Sequence, residues 1–278
     1  MERVFRGTVA GAAGLTIAIV AGIGLFLVMR AAPALSRNKE NFLTFGDNWD
    51  LSDPSAMHFG ISHLLVVTVL VSAVALVLAM PMALGIAIFV TQYARRWCAA
   101  LAYLVDLLAA IPSLIYGVWG LYVLAPVLAP VSRWLNDFQS GIGNVFVAGL
   151  VLAMMILPII TAVTREVFAQ TPIDQIEAAW ALGATRWETV RTTVLPFGRS
   201  GYISASMLGL SRALCETAAM LIILRGGYTF ASKIASGVGH ERDIYRVGAY
   251  VAAGLALFAL TFVVDALARR MIAKRVPR

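Results

Sequence analysis

Charge is scarce in this chain: of 278 residues only 13% are charged, while 60% are hydrophobic. That balance excludes an ordinary soluble domain, because one core of this length cannot hide so much apolar surface. Histidine and cysteine are scarcer still, at three and two residues. His58, His63 and His240 lie in or beside loops without ligand spacing, so no metal centre is expected. Cys98 and Cys215 sit 117 positions apart on different segments and read as reduced packing residues rather than a redox pair. No Gly-Lys-Ser or Gly-Lys-Thr occurs, which leaves no phosphate-cradling P-loop and no means of hydrolysing ATP. Nor is there a Gly-x-Ser-x-Gly or a His-Glu-x-x-His to suggest an intramembrane hydrolase. Low-complexity tracts and internal repeats are absent too.

What the chain has instead is long apolar runs. Six of them, Val9–Met29, Leu64–Val90, Ala99–Ala129, Val145–Thr164, Tyr202–Leu224 and Val247–Leu267, reach the roughly 20 helical residues that cross roughly 30 Å of hydrocarbon. The expected fold class is an all-α membrane protein with six transmembrane helices. Residues 1–278 read as a single transmembrane domain, with its core at about 60–270 and a long loop between spans at 170–196. The first run exceeds a signal-peptide core and has no small-residue cleavage site before Arg37, so it is expected to stay as a helix. A net charge of +7 would suggest nucleic acid in a soluble domain, but here the basic residues flank the spans. With both termini on one side, that side collects twelve Lys and Arg against eight on the other, which predicts cytoplasmic termini. Pro81, Gly85, Pro112, Gly117, Gly120 and Pro158 interrupt spans at positions where membrane helices bend. Gly7 and Gly11 form a small-xxx-small pair suited to close packing.

The longest inner stretch runs from Arg165 to Gly201. Thr171-Pro172-Ile173-Asp174 reads as a helix start, with a hydroxyl cap, a proline in the first turn and a carboxylate. That helix should stop near Gly183, free to take positive φ. Thr185-Arg186-Trp187-Glu188 then repeats the start signal for a second short helix, predicted to end before Pro196. Ile173, Ile176, Trp180 and Trp187 on such a hairpin require a protein cover, since lipid does not reach beyond the headgroups. The same pattern on a free domain would raise DNA binding, but a loop pinned at both ends by membrane spans does not enter a major groove, and no nucleic-acid partner is expected.

Glu177-Ala178-Ala179, Gly183-Ala184 and Leu195-Pro196 together resemble the EAA loop of bacterial ABC importer permeases. The resemblance implies a type I ABC importer permease (MetI-like) fold, in which this loop is a coupling helix seated in a cytoplasmic ATPase. Glu177, Ala178, Ala179 and Gly183 take those coupling roles by resemblance; a purely structural loop is the alternative. Pro81–Phe89 (PMALGIAIF), Ile111–Gly120 (IPSLIYGVWG), Met155–Glu166 (MILPIITAVTRE) and Arg212–Thr217 (RALCET) extend the likeness to the phosphate importer permeases, the PstC and PstA pair. The tract Asn41–Trp49 looks more like the PstC member. The family pattern has glycine where Ser211 and Cys215 stand, and Gly-Thr where Val67-Thr68 stands, which leaves room for a related oxyanion. The resemblance further implies a second permease of PstA type, two ATPase subunits of PstB type that bind the ATP, an extracytoplasmic phosphate-binding protein of PstS type, and a place in the bacterial inner membrane. No cofactor of its own is implied.

Arg212 lies ten residues beyond Tyr202, roughly 15 Å into the fifth run. Burying an arginine there costs roughly 2.5 to 17 kcal/mol by different measures, so it requires a partner and a polar setting. Glu216, one turn on, is the expected partner, and the resemblance implicates both in transport. An ion pair that only ties the bundle is the other reading. Asp106 in the third run is a further candidate for translocation or for pairing with Arg212, and cytoplasmic-side hydration explains it equally. Asp265 and Arg269 are spaced as a local pair. An ion-coupled secondary transporter is the rival class; it accounts for the helix breaks and the buried charge but not for the hairpin.

Overall fold

The computed structural model describes residues 2–273 apart from 47–48, 54, 94–97, 139–141, 225–227, 240 and 242. The middle of the connection between the second and third apolar runs, at Arg95, and the loop position of His240 lie outside the described residues. The order is α1 (Glu2–Leu35), α2 (Ser62–Ile88), α3 (Cys98–Ala109), α4 (Ser113–Trp119), α5 (Ala125–Val127), α6 (Ala129–Phe138), α7 (Ile142–Ala169), α8 (Ile173–Ala181), α9 (Arg186–Thr189), α10 (Leu195–Leu214), α11 (Ala218–Ile223), α12 (Phe230–Val238) and α13 (Ile244–Ala273). The chain is all-α; among the described residues the only β features are isolated bridges, Asn38 with Met57 and Asp50 with His58.

Among the described residues, four helical stretches are long and apolar enough to cross a membrane: Phe5–Leu35, Ser62–Tyr93, Gly143–Ala169 and Ile244–Leu267. Counting the pair Ala102–Ala109 and Ser113–Val127, bent by 90° at the break, as one span makes a fifth. The sequence count of six is therefore not met as six uninterrupted apolar rods. The run Tyr202–Leu224 is divided at Cys215–Thr217, and its longer part, α10, is rich in Gly and Ser and carries Arg199 and Arg212.

The prolines behave differently from one another. Pro81 and Pro158 sit inside continuous helices, whereas Pro112 stands at the 90° elbow between α3 and α4 with extended backbone (ψ 140°). The buried Tyr116 closes that elbow by donating its hydroxyl to the Leu108 carbonyl at 2.9 Å, which satisfies a helix end that lipid could not.

The centre of the bundle is the seam between α2 and α7. Ala75, Ala79, Ala83 and Ala87 recur every four residues on one face of α2 and are fully buried. Val151, Leu152, Ile156 and Ile160 of α7 fill the space these small side chains leave. Gly7 and Gly11, by contrast, stand open with nothing near them, and the 18-residue apolar core of α1 has none of its residues buried. The seam yields a prediction: Ala79→Leu overfills it and lowers stability by about 1–3 kcal/mol, seen as a lower unfolding temperature in detergent, while Leu15→Ala on the exposed face of α1 leaves that temperature unchanged.

Candidate functional site

The hairpin between Arg165 and Gly201 forms as the residues dictate, with two departures. Gly183 takes φ +82°, the only positive-φ glycine among the described residues, so α8 stops there and the chain reverses. Thr185 caps α9 through a reciprocal box: its Oγ1 accepts from the Glu188 backbone N–H at 3.3 Å, and Glu188 Oε2 accepts from the Thr185 N–H at 2.8 Å. Donation to its carboxylate by the Thr185 N–H and hydroxyl holds the Glu188 carboxyl below the usual range. Thr171, expected to cap α8, instead turns its hydroxyl back to the Phe168 carbonyl at 2.9 Å; Pro172 precedes α8 with no side-chain cap. Nor does the second helix end before Pro196. A π turn at Val190–Val194 absorbs the missing proline N–H, and the helix continues into α10.

Glu177, Ala178 and Gly183 are exposed and Ala179 is partly so. Around them Ile173, Trp180, Leu182 and Trp187 are all more than half exposed, Leu182 at 90%. Ile176 alone of the named apolar residues turns inward. An apolar surface of this kind at the end of a helical bundle is built to be covered.

The second constellation sits at the break between α10 and α11. Arg212 Nη1 donates to Glu216 Oε2 at 2.6 Å. The Arg212 side chain is 44% exposed, whereas that of Glu216 is 2% exposed. The second carboxylate oxygen, Oε1, accepts from the backbone N–H of Ala219 at 3.3 Å, in the first turn of α11. The break thus places the cation in the last turn of one helix and the anion at the start of the next, each complementing its helix dipole. Glu216 faces Thr68, Ser72, Thr229, Leu152 and Met220 in a crevice with no room for water. Arg212 is therefore open to its surroundings, whereas Glu216 is sealed behind it.

Two glycines flagged in the sequence serve this arrangement. A Cβ on Gly117 would stand 2.8 Å from the Ala219 Cα, and one on Gly120 2.6 Å from Val151 Cγ2. The bare Gly117 lets α4 lie close against the first turn of α11, the turn that binds Glu216, while Gly120, just beyond α4, makes room for Val151 of α7.

Asp106 is not brought to Arg212. It faces Arg165, with Oδ2 3.7 Å from Nη2, at the hairpin end of the bundle; the other terminal nitrogen of Arg165 is buried without a hydrogen-bond partner. Asp265 also departs from expectation. It accepts from Ser211 Oγ at 3.0 Å, tying α13 to the residue just before Arg212, and no ion pair with Arg269 is formed among the described residues. Sequence reasoning missed this role for Asp265, although an ionisable residue within the last span was itself a signal. Cys215, in the break, is a free and exposed thiol rather than packing.

The sequence profile of the binding-protein-dependent transport system inner membrane component matches residues 75–276. The "Phosphate transport system permease protein PstC 2" of Mycobacterium tuberculosis (strain ATCC 25618 / H37Rv) is 51% identical over 302 aligned positions, covering 99% of this chain and 93% of its own length. The "Phosphate transport system permease protein PstC" of Mycobacterium leprae (strain TN) is 52% identical over 278, covering 91% and 87%. Among solved structures, a chain of the inward-facing MetNI methionine ABC transporter superposes with a TM-score of 0.54 at 16% identity, over 77% of this chain and 97% of that one, a likeness of fold alone. The hairpin, the broken fifth run and these matches agree: the chain belongs to the family of binding-protein-dependent transport system inner membrane components, in the branch formed by the PstC permeases.

Proposed function

We propose that this chain is the PstC-type permease of an ATP-driven importer of inorganic phosphate, and that it forms the translocation route together with a second, PstA-type permease. Membership of the family means that energy comes from an ATPase and cargo from a binding protein; the particular partners are two PstB-type subunits on the inner face and a PstS-type protein on the outer face. Both termini and the α8–α9 hairpin face the cytoplasm, as the charge bias supports. The names of the relatives at 51% and 52% identity support phosphate as cargo.

The observation that carries the mechanism is the Arg212–Glu216 pair across a broken helix. With α10 and α11 taken as one interrupted crossing, the break puts the guanidinium within the membrane and open to the side where a second permease closes the route. An oxyanion passing there is met by one exposed guanidinium whose charge is already half spent on Glu216, so attraction is transient, and passage requires such weak attraction. Ala178 and Ala179 admit the ATPase surface closely, Glu177 offers it a hydrogen-bond acceptor, and Trp180 and Trp187 become its apolar contacts. Closure of the ATPase pair on ATP then moves α9, and α10 moves with it as one rod.

Two outcomes are expected of the reconstituted importer with its binding protein. Gly183→Val forces a β-branched residue to φ +82°, at roughly 1–3 kcal/mol, and uncouples the hairpin: ATP hydrolysis persists while ATP-driven phosphate uptake falls at least roughly tenfold. Normal coupled uptake by this variant would defeat the docking role. Arg212→Gln leaves the complex assembled, as checked by co-purification of all subunits, but suppresses phosphate uptake by roughly a hundredfold; uptake at the unmutated rate would reduce the pair to a structural tie.

A further inference from the structure

At the end of the bundle opposite the hairpin, a cavity of about 230 Å³ opens between the 36–61 segment, α12 and the start of α13. Trp49, Leu51, Ser52, Lys233, Glu241, Arg246 and Tyr250 line it. It is smaller than the roughly 300–1,000 Å³ that drug-sized ligands fill, so a ligand held whole here is a small ion. Its rigid wall is Trp49, which donates its indole N–H to the Gly60 carbonyl at 2.7 Å and packs on Tyr250 with ring centroids 5.3 Å apart. Arg246 is clamped by donating to the Ser52 carbonyl at 2.8 Å and, at a long 3.4 Å, to Glu241.

Lys233 differs from the other charges. Its ammonium lies 5.0 Å from the Trp49 ring centroid, and among the described residues no carboxylate pairs with it. Burial pushes this ammonium below the usual lysine range, the state of a cation short of a counter-charge. Among the described residues, two cations and one carboxylate line this open, polar cleft, which leaves net positive charge and, in the buried Nε of Arg246, an unpartnered N–H donor, a setting that selects a small oxyanion.

We propose that this cavity is an outer-face oxyanion subsite, where Lys233 and Arg246 hold inorganic phosphate before it passes inward to Arg212. The proposal rests on the reading of the chain as a phosphate permease with its hairpin inward. Glu241 keeps the hold weak by competing for Arg246, as a site on a conduction path requires. The two sites share α13: Tyr250 borders the cavity, and Asp265, roughly 22 Å further along the helix axis, bonds the residue beside Arg212.

The test uses the assembled importer in nanodiscs without its binding protein and with Arg212→Gln to silence the deeper site, and it reads line broadening of inorganic phosphate by phosphorus NMR. Broadening is expected in this background, to fall roughly fivefold or more with Lys233→Gln, to survive Lys233→Arg, and to strengthen with Glu241→Gln. Broadening indifferent to both Lys233→Gln and Glu241→Gln overturns the subsite. So does unaltered broadening with weakened docking of the binding protein to Lys233→Gln, because the cavity then serves a protein carboxylate. Failure of the underlying function is read separately, as absence of phosphate uptake by the unmutated importer with its binding protein.

Discussion

A carboxylate sealed inside an apolar bundle survives only with an opposite charge against it, and that requirement organises the centre of this protein. Glu216 has Arg212 on one oxygen and the Ala219 N–H on the other. To place those donors the helix has to stop and restart, since a continuous helix would spend the Ala219 N–H on the Cys215 carbonyl. The break at Cys215–Thr217, the polar crevice of Thr68, Ser72 and Thr229, and the bare Gly117 that lets α4 approach α11 all serve to hold one buried charge. The carboxylate and its two donors therefore act as a unit.

The hairpin and the charged break are two ends of one mechanical element. From the Thr185 cap, α9 runs through the π turn into α10 and on to Arg212. That is roughly 40 Å of helix at 1.5 Å per residue. A displacement at Trp187 therefore has a rigid path to the guanidinium without crossing a flexible joint. Ser211 adds a side branch, since its bond to Asp265 makes α13 move with the end of this rod or yield at that bond.

Much of this was legible in the sequence, for identifiable reasons. The apolar runs are long because lipid demands it; Gly183 and the Thr185–Glu188 box are local signals that need no tertiary information, and both hold in the structure. What escaped was set by packing. No proline or glycine marks Cys215–Thr217, so the fifth run read as continuous; its break is imposed by the buried carboxylate. Pro196 read as a stop because its missing N–H interrupts an α-helix, yet a π turn tolerates it. Pro81 and Pro158 bend nothing sharply, while Pro112 makes a right angle, a difference that depends on neighbours such as Tyr116. Asp106 and Asp265 were candidates without fixed partners, and only the arrangement of α3, α7, α10 and α13 shows that they take Arg165 and Ser211.

If the pair works through its direction as well as its charge, exchanging the two residues is the most direct measurement. Arg212→Glu combined with Glu216→Arg preserves the ion pair but turns the carboxylate toward the route and sets both charges against their helix dipoles. The account predicts an assembled importer whose ATP-driven phosphate uptake stays at the background level. Uptake restored to the unmutated rate would contradict it, and would leave the pair as no more than a bolt between two halves of a helix.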